Sequence, residues 1–177
     1  MLSLFLTFAL ASPSHVDLNR YAGVWYEAAS IPQFFQRKCA RNTRAEYVLE
    51  DGEVQVTNSC LNAAGERESA SGRARVVDPT TNAQLEVTFV RLFGWWIYAF
   101  GGDYWIEDLY DEYSVSLVGS PSRKYAWILS RSQVIRLDVL KRAEAKYREL
   151  GYDTCAILTS VQDGSWTERK PLCEVVK

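Results

Sequence analysis

The residues able to do acid–base or covalent chemistry are few, and their spacing is poor for it. His15 is the only histidine and precedes the first expected strand. A domain starting at residue 17 therefore carries no imidazole, which excludes Ser-His-Asp triads, Cys-His nucleophiles and His-ligated metals together. Neither a G-x-S-x-G elbow nor a G-x-x-x-x-G-K-[ST] phosphate loop occurs. Glu27, Glu107 and Asp108 fall on or beside expected strands and are the one candidate carboxylate pairing for glycosidase-like work. Strand carboxylates more commonly face outward or pair with arginine, so the expectation is no catalytic residue, no metal and no cofactor. Cys39, Cys60, Cys155 and Cys173 form no C-x-x-C, which argues against zinc or redox use. Disulfide bonding is a better use of Cys60 than nucleophilic attack.

Charge and composition narrow the function further. The formal net charge is −2 and no long basic run occurs, so the electrostatic footprint of a nucleic-acid partner is missing. Aromatic residues make up 13% of the chain, with six Trp and ten Tyr, enough to fill a large core or to line a large apolar cavity. Residues 1–11 hold no charged side chain and end in Ala9-Leu10-Ala11. This is the pattern of a short apolar export signal with an A-x-A cleavage site, too short to span a bilayer. An even number of cysteines behind such a signal favours two disulfides in an oxidising compartment. No cysteine lies just after the apolar run, so a lipid anchor on an N-terminal cysteine has no candidate.

The elements that would position any site read as strands. A length of 177 residues fits one domain, expected at 17–162 with 163–177 as a C-terminal tail. Alternation of apolar and polar residues marks 25–31, 44–50, 53–60, 70–76 and 85–89 as half-buried strands. Asp51-Gly52 is a strong hairpin turn between two of them. Residues 104–108, 113–118 and 125–131 are further strands, and 153–161 is a short last one. The apolar, glycine-containing stretch 92–102 fits strand or loop. At 137–150 the period changes from 2 to 3.6, with Leu140, Ala143, Tyr147 and Leu150 on one stripe and Gly151 after it. That is an amphipathic helix. Many short strands and one late helix suggest a sandwich or barrel.

Three segments resemble the signature regions of the lipocalin family. Gly23-Val24-Trp25-Tyr26-Glu27 looks like the G-x-W region. Residues 108–113, Asp-Leu-Tyr-Asp-Glu-Tyr, look like the T-D-Y-x-x-Y region, displaced and lacking its Thr. Trp127-Ile128-Leu129-Ser130-Arg131 looks like the third region, whose Arg closes over the Trp. The stretch 113–131 is similar to bacterial outer-membrane lipocalins and their plant relatives, with apolipoprotein D a more distant cousin. The resemblance implies an all-β fold: an eight-stranded antiparallel up-and-down barrel, with one C-terminal helix and a short ninth strand. It implies that Trp25 and Arg131 hold the closed end. It also implies binding, storage or transport of a small apolar ligand, a fatty acid or lysophospholipid, for membrane maintenance at a periplasmic or outer-membrane location. Enzymes and protein-interaction modules built on this scaffold are the rival classes.

Within such a barrel, strand parity assigns Glu27, Ala29, Tyr47, Val56, Asn58, Phe89, Tyr104, Ile106 and Trp127 to the ligand pocket, and a one-residue slip would swap the faces. Phe35 and Trp96, on loops of the open end, join them. The aromatic loops 31–38 and 91–102 suggest a peripheral membrane contact, with a lid or a homodimer contact as competing uses. The expected disulfides are Cys39–Cys60 and Cys155–Cys173, one of three possible pairings. A two-residue turn at 51–52 sets Cys60 opposite Thr43, four residues from Cys39. That is about 13 Å along a strand, against the roughly 7 Å that a disulfide tolerates between Cα atoms. The pairing thus requires a bulge at 40–42. In apolipoprotein D and its insect relatives the equivalent cysteine bonds to the C-terminal tail, so Cys39–Cys173 is the rival.

Overall fold

The computed structural model describes residues 13–177. The expected export signal at 1–11 lies outside the described residues. The period-2 segments all become strands: β1 (Gly23–Ser30), β2 (Arg41–Glu50), β3 (Glu53–Leu61), β4 (Arg67–Val76), β5 (Gln84–Thr88), β8 (Gly102–Tyr110), β9 (Val115–Gly119) and β10 (Ala126–Ser130). Each pairs antiparallel with the next, and β10 pairs back onto β1, closing the barrel. Closure leaves no sheet edge and encloses an interior. The ambiguous stretch between β5 and β8 is a small hairpin, β6 (Arg91–Leu92) and β7 (Trp95–Trp96), followed by a single 3₁₀ turn.

Two cores result. The inner one gathers Trp25, Tyr47, Val56, Leu85 and Ile106 inside the barrel. The outer one lies beneath a helix, numbered α2 because a short α1 (Leu18–Tyr21) precedes it. Helix α2 (Leu137–Glu149) buries Leu140, Ala143 and Tyr147 against the wall, the stripe that the 3.6 period marks. It ends in a Schellman turn: the Tyr152 amide donates to the Tyr147 carbonyl, the Gly151 amide to that of Arg148, and Gly151 takes φ +82°.

Four expectations are corrected. The last strand, expected over 153–161, is only β11 (Leu158–Thr159), beside the mouth end of β1. The segment after 162, expected only as a polar C-terminal tail, packs onto the domain. It carries α3 (Leu172–Val175), whose Leu172 is fully buried, and a bond from Cys173 to Cys155. The strand expected from 113 starts at Val115, because Glu112 and Tyr113 take φ +57° and +68° in a tight turn. Ala29 faces the outer core instead of the pocket. A bulge between Glu27 and Ala29 inserts one extra residue against β10, so parity flips and Ala29 pairs with outward-facing Ile128.

Both expected disulfides are present, Cys39–Cys60 with Cα atoms 5.5 Å apart and Cys155–Cys173 with 5.0 Å. The bulge that the first requires is there. The β2–β3 register shifts between Arg41 and Arg44, and Asn42 takes φ +56°.

Candidate ligand-binding site

The closed end is built around an arginine. The Arg131 guanidinium carbon lies 3.8 Å from the centre of the fully buried Trp25 ring. Its nitrogens donate to the carbonyls of Arg20 (2.7 Å), Ala22 (2.9 Å) and Val24 (2.9 Å). One side chain thereby ties α1 to β1 and β10. A Cβ at Gly23 would come within 3.3 Å of that guanidinium, and Gly23 takes φ +98°. The glycine two residues before the tryptophan serves both needs.

Above this plug lies a cavity of about 560 Å³, open at the other end of the barrel. Ala45, Leu49, Val54 and Val56 supply one apolar wall, and Leu85, Val87 and Leu129 continue it. A volume of this size is typical of small-molecule sites, where apolar walls supply affinity and a few polar groups set orientation. Those polar groups sit at two levels. Near the floor, the Tyr104 hydroxyl lies 2.7 Å from that of Tyr21 and 3.0 Å from that of Tyr47, and Tyr21 lies 2.9 Å from Ser116. Burial disfavours the phenolates: the Tyr21 pKa is pushed up to about 12 from 10.0, and those of Tyr47 and Tyr104 rise as well. These hydroxyls stay protonated at neutral pH. Near the mouth, Lys38 and Arg44 face the cavity together with Glu27, Glu68 and Asp103.

The pocket residues expected from parity divide clearly. Tyr47, Val56, Asn58, Tyr104 and Trp127 line the cavity, as do Phe35 and Phe89 at the mouth. Glu27 reaches it too, but its buried carboxylate accepts hydrogen bonds from Ser30 (2.9 Å), Gln36 (2.8 Å) and Ser160 (2.5 Å), an arrangement that anchors loop and tail segments. Ile106 points inward but is fully buried in the inner core and does not line the cavity. Trp96 lies on the β6–β7 hairpin, its ring 5.5 Å from the Arg91 guanidinium, away from the cavity. Glu107 is the extra residue of a third bulge, in β8 between Ile106 and Asp108. Desolvation raises the buried Glu107 carboxyl above its usual range.

Sequence reasoning missed Tyr21, which sits in what reads as a polar turn. The short helix α1, capped by Asp17 accepting from the Asn19 amide, turns its ring into the barrel. It also missed Lys38, Arg44 and Phe100, whose directions depend on a bulge and on loop geometry. The 91–102 segment is tied down on the outer wall: Tyr98 donates to Glu53 (3.1 Å) and stacks on Arg75 at 4.2 Å.

A family model for the lipocalin-like domain matches residues 16–162. The chain is a lipocalin. Among curated relatives, the temperature-induced lipocalin-1 of Arabidopsis thaliana is 39% identical over 140 residues, 78% of this chain and 75% of the relative. The outer membrane lipoprotein Blc of Escherichia coli (strain K12) is 32% identical over 171 residues, 91% of this chain and 93% of the relative. Among solved structures, insecticyanin of the tobacco hornworm Manduca sexta superposes with a TM-score of 0.64 at 19% identity, covering 91% of this lipocalin and 93% of that chain. That likeness concerns the fold alone. A lipocalin with an open, apolar-walled cavity is a binder or carrier of small hydrophobic molecules.

Proposed function

We propose that this lipocalin binds and carries a single-chain lipid, a fatty acid or a lysophospholipid, with the acyl chain in the barrel. The observation that carries this reading is the layering of the cavity: apolar walls below, charges of both signs at the rim. Burying a charge among the aliphatic walls would cost far more than leaving it at the wet mouth, so the chain enters first and the headgroup stays at the rim. Lys38 and Arg44 alongside Glu27, Glu68 and Asp103 suit a zwitterionic headgroup better than a simple anion. A mostly apolar wall with protonated phenols at its base supports binding in preference to catalysis.

The mouth supports delivery at a membrane. Phe93 is fully exposed, with Trp95 at 77% and Phe34 at 72%. Tryptophan favours the interfacial layer of a bilayer, and a mouth resting there spares the ligand a passage through water. The 93% coverage of an outer membrane lipoprotein supports an exported protein working beside that membrane. The test of the carrier reading is fluorescence titration with palmitic acid and palmitoyl-lysophosphatidylcholine, since Trp127 lines the cavity. Saturable change with micromolar affinity, about 8 kcal/mol, is expected. No saturable response to either lipid overturns the reading.

A further inference from the structure

The hydroxyls near the cavity floor form an open chain, Ser116–Tyr21–Tyr104–Tyr47, joined by three contacts of 2.9, 2.7 and 3.0 Å. Four hydroxyls bring four protons, and three contacts use three of them. The position of the fourth can be worked out. Ser116 is fully buried and does not line the cavity, and its hydroxyl has the Tyr21 hydroxyl as its only hydrogen-bond partner among the described residues. A proton left unused there would be a buried unpaired donor, which folded proteins avoid. Ser116 therefore donates to Tyr21. Tyr21 keeps one further contact, with Tyr104. Whichever way the last two contacts run, the spare proton ends on Tyr21, Tyr104 or Tyr47, and all three line the cavity. The phenols keep their protons, because burial raises all three pKa values. A purely structural cluster would have no need to turn an unused donor toward the ligand. Phenylalanine at Tyr47 would fill nearly the same volume.

We propose that this hydroxyl chain is a recognition subsite for an oxygen on the buried end of the ligand. The preferred cargo is then a lipid whose acyl chain carries a keto or hydroxyl group at its far end. The proposal rests on the carrier reading and on chain-first entry. It deepens that reading by naming what the floor selects. An oxygenated chain end loses its water on entering the barrel and recovers one hydrogen bond at Tyr21, Tyr47 or Tyr104. A saturated chain end leaves the donor unpaired.

The test compares plain lauroyl-, myristoyl- and palmitoyl-lysophosphatidylcholine with analogues whose acyl chains end in a methyl ketone, an acceptor-only group. The bulky headgroup keeps the chain end pointing inward. Affinities are measured on the wild type and on a triple variant, Tyr21→Phe with Tyr47→Phe and Tyr104→Phe, with thermal melting to show that each is folded. Expected is that the wild type binds at least one ketone analogue as tightly as its plain partner or tighter. In the triple variant the ketone-to-plain affinity ratio should fall about five- to tenfold, the worth of one lost hydrogen bond. A wild type that rejects every ketone analogue about tenfold overturns the proposal without reference to any variant. So does a ratio that the folded triple variant leaves unchanged. In both cases saturable binding of the plain lipids leaves the carrier reading standing. If no lipid binds the wild type saturably, both readings fall.

Discussion

The two ends of this barrel treat the same residue type in opposite ways. At the closed end Trp25 is fully buried, its indole nitrogen donates to the Tyr21 carbonyl at 2.8 Å, and Arg131 covers its face. At the open end Trp95 is 77% exposed on a hairpin beside fully exposed Phe93. Buried polar groups must be satisfied, and the closed end achieves this with side chains reaching backbone carbonyls. Apolar groups carry no such requirement and can wait for a partner. One end is thus finished by folding, while the other is left for a ligand or a surface to finish. An aromatic residue in such a chain marks stability or function according to what lies beside it, not according to its type.

That contrast can be broken in three ways. The largest effect should come from Trp25→Ala, which removes a fully buried ring and uncovers Arg131. A loss of about 3–5 kcal/mol in denaturant unfolding is expected. Unchanged stability with lipid binding abolished would mean that Trp25 belongs to the ligand site and that the contrast is misdrawn. A smaller effect should follow alkaline pH. The unfolded chain releases phenolic protons near pH 10.0, while folded Tyr21 holds its own to about 12. Raising pH therefore favours the unfolded state: the stabilisation is whole below about pH 10 and is lost as pH climbs toward about 12. Melting temperatures measured stepwise over that range should fall, and less steeply in Tyr21→Phe. The smallest effect on stability belongs to the mouth. Phe93→Ser combined with Trp95→Ser should change unfolding by no more than about 0.5 kcal/mol, as for other exposed positions. The same variant should lose co-sedimentation with liposomes that the wild type shows. With a formal net charge of −2, that binding should depend little on salt. Equal sedimentation of both proteins, or a fall in the wild type's self-association in the variant, would assign the rings to a second copy instead.

Much of the fold was legible because a half-buried strand writes its period directly into the sequence. The faces Ala45/Tyr47/Leu49 and Val54/Val56/Asn58 are cavity walls as the alternation indicates. The helix stripe Leu140/Ala143/Tyr147 was equally plain. Illegible were the places where one residue breaks the period. Nothing in Glu27-Ala28-Ala29 announces the bulge that turns Ala29 outward, since both alanines suit either face. Tyr21 was hidden for another reason: a four-residue helix carries too little pattern to show that its last side chain enters a barrel. The stretch 91–102 stayed ambiguous because its shape is set by Tyr98 gripping Glu53 and Arg75 on distant strands, a contact that leaves no local trace.

The mouth half of β1 carries a consequence for how the chain comes together in time. Its first four residues pair with β2, which follows within a few dozen residues. Beyond Tyr26 the strand partners are all late in the chain: Leu129, Ile128 and Trp127 on one side, Thr159 and Leu158 on the other, with the Gln162 side chain bridging the carbonyls of Glu27 and Thr43. A strand made near the start of synthesis must therefore wait for nearly the whole polypeptide before its upper half finds a partner. Contacts that span so much sequence slow folding, because the loop they close must be ordered before anything is gained. During that delay the inward-facing apolar residues stand open to solvent and to other chains. The step most exposed to chaperones and to aggregation is thus the final sealing of the barrel along this seam.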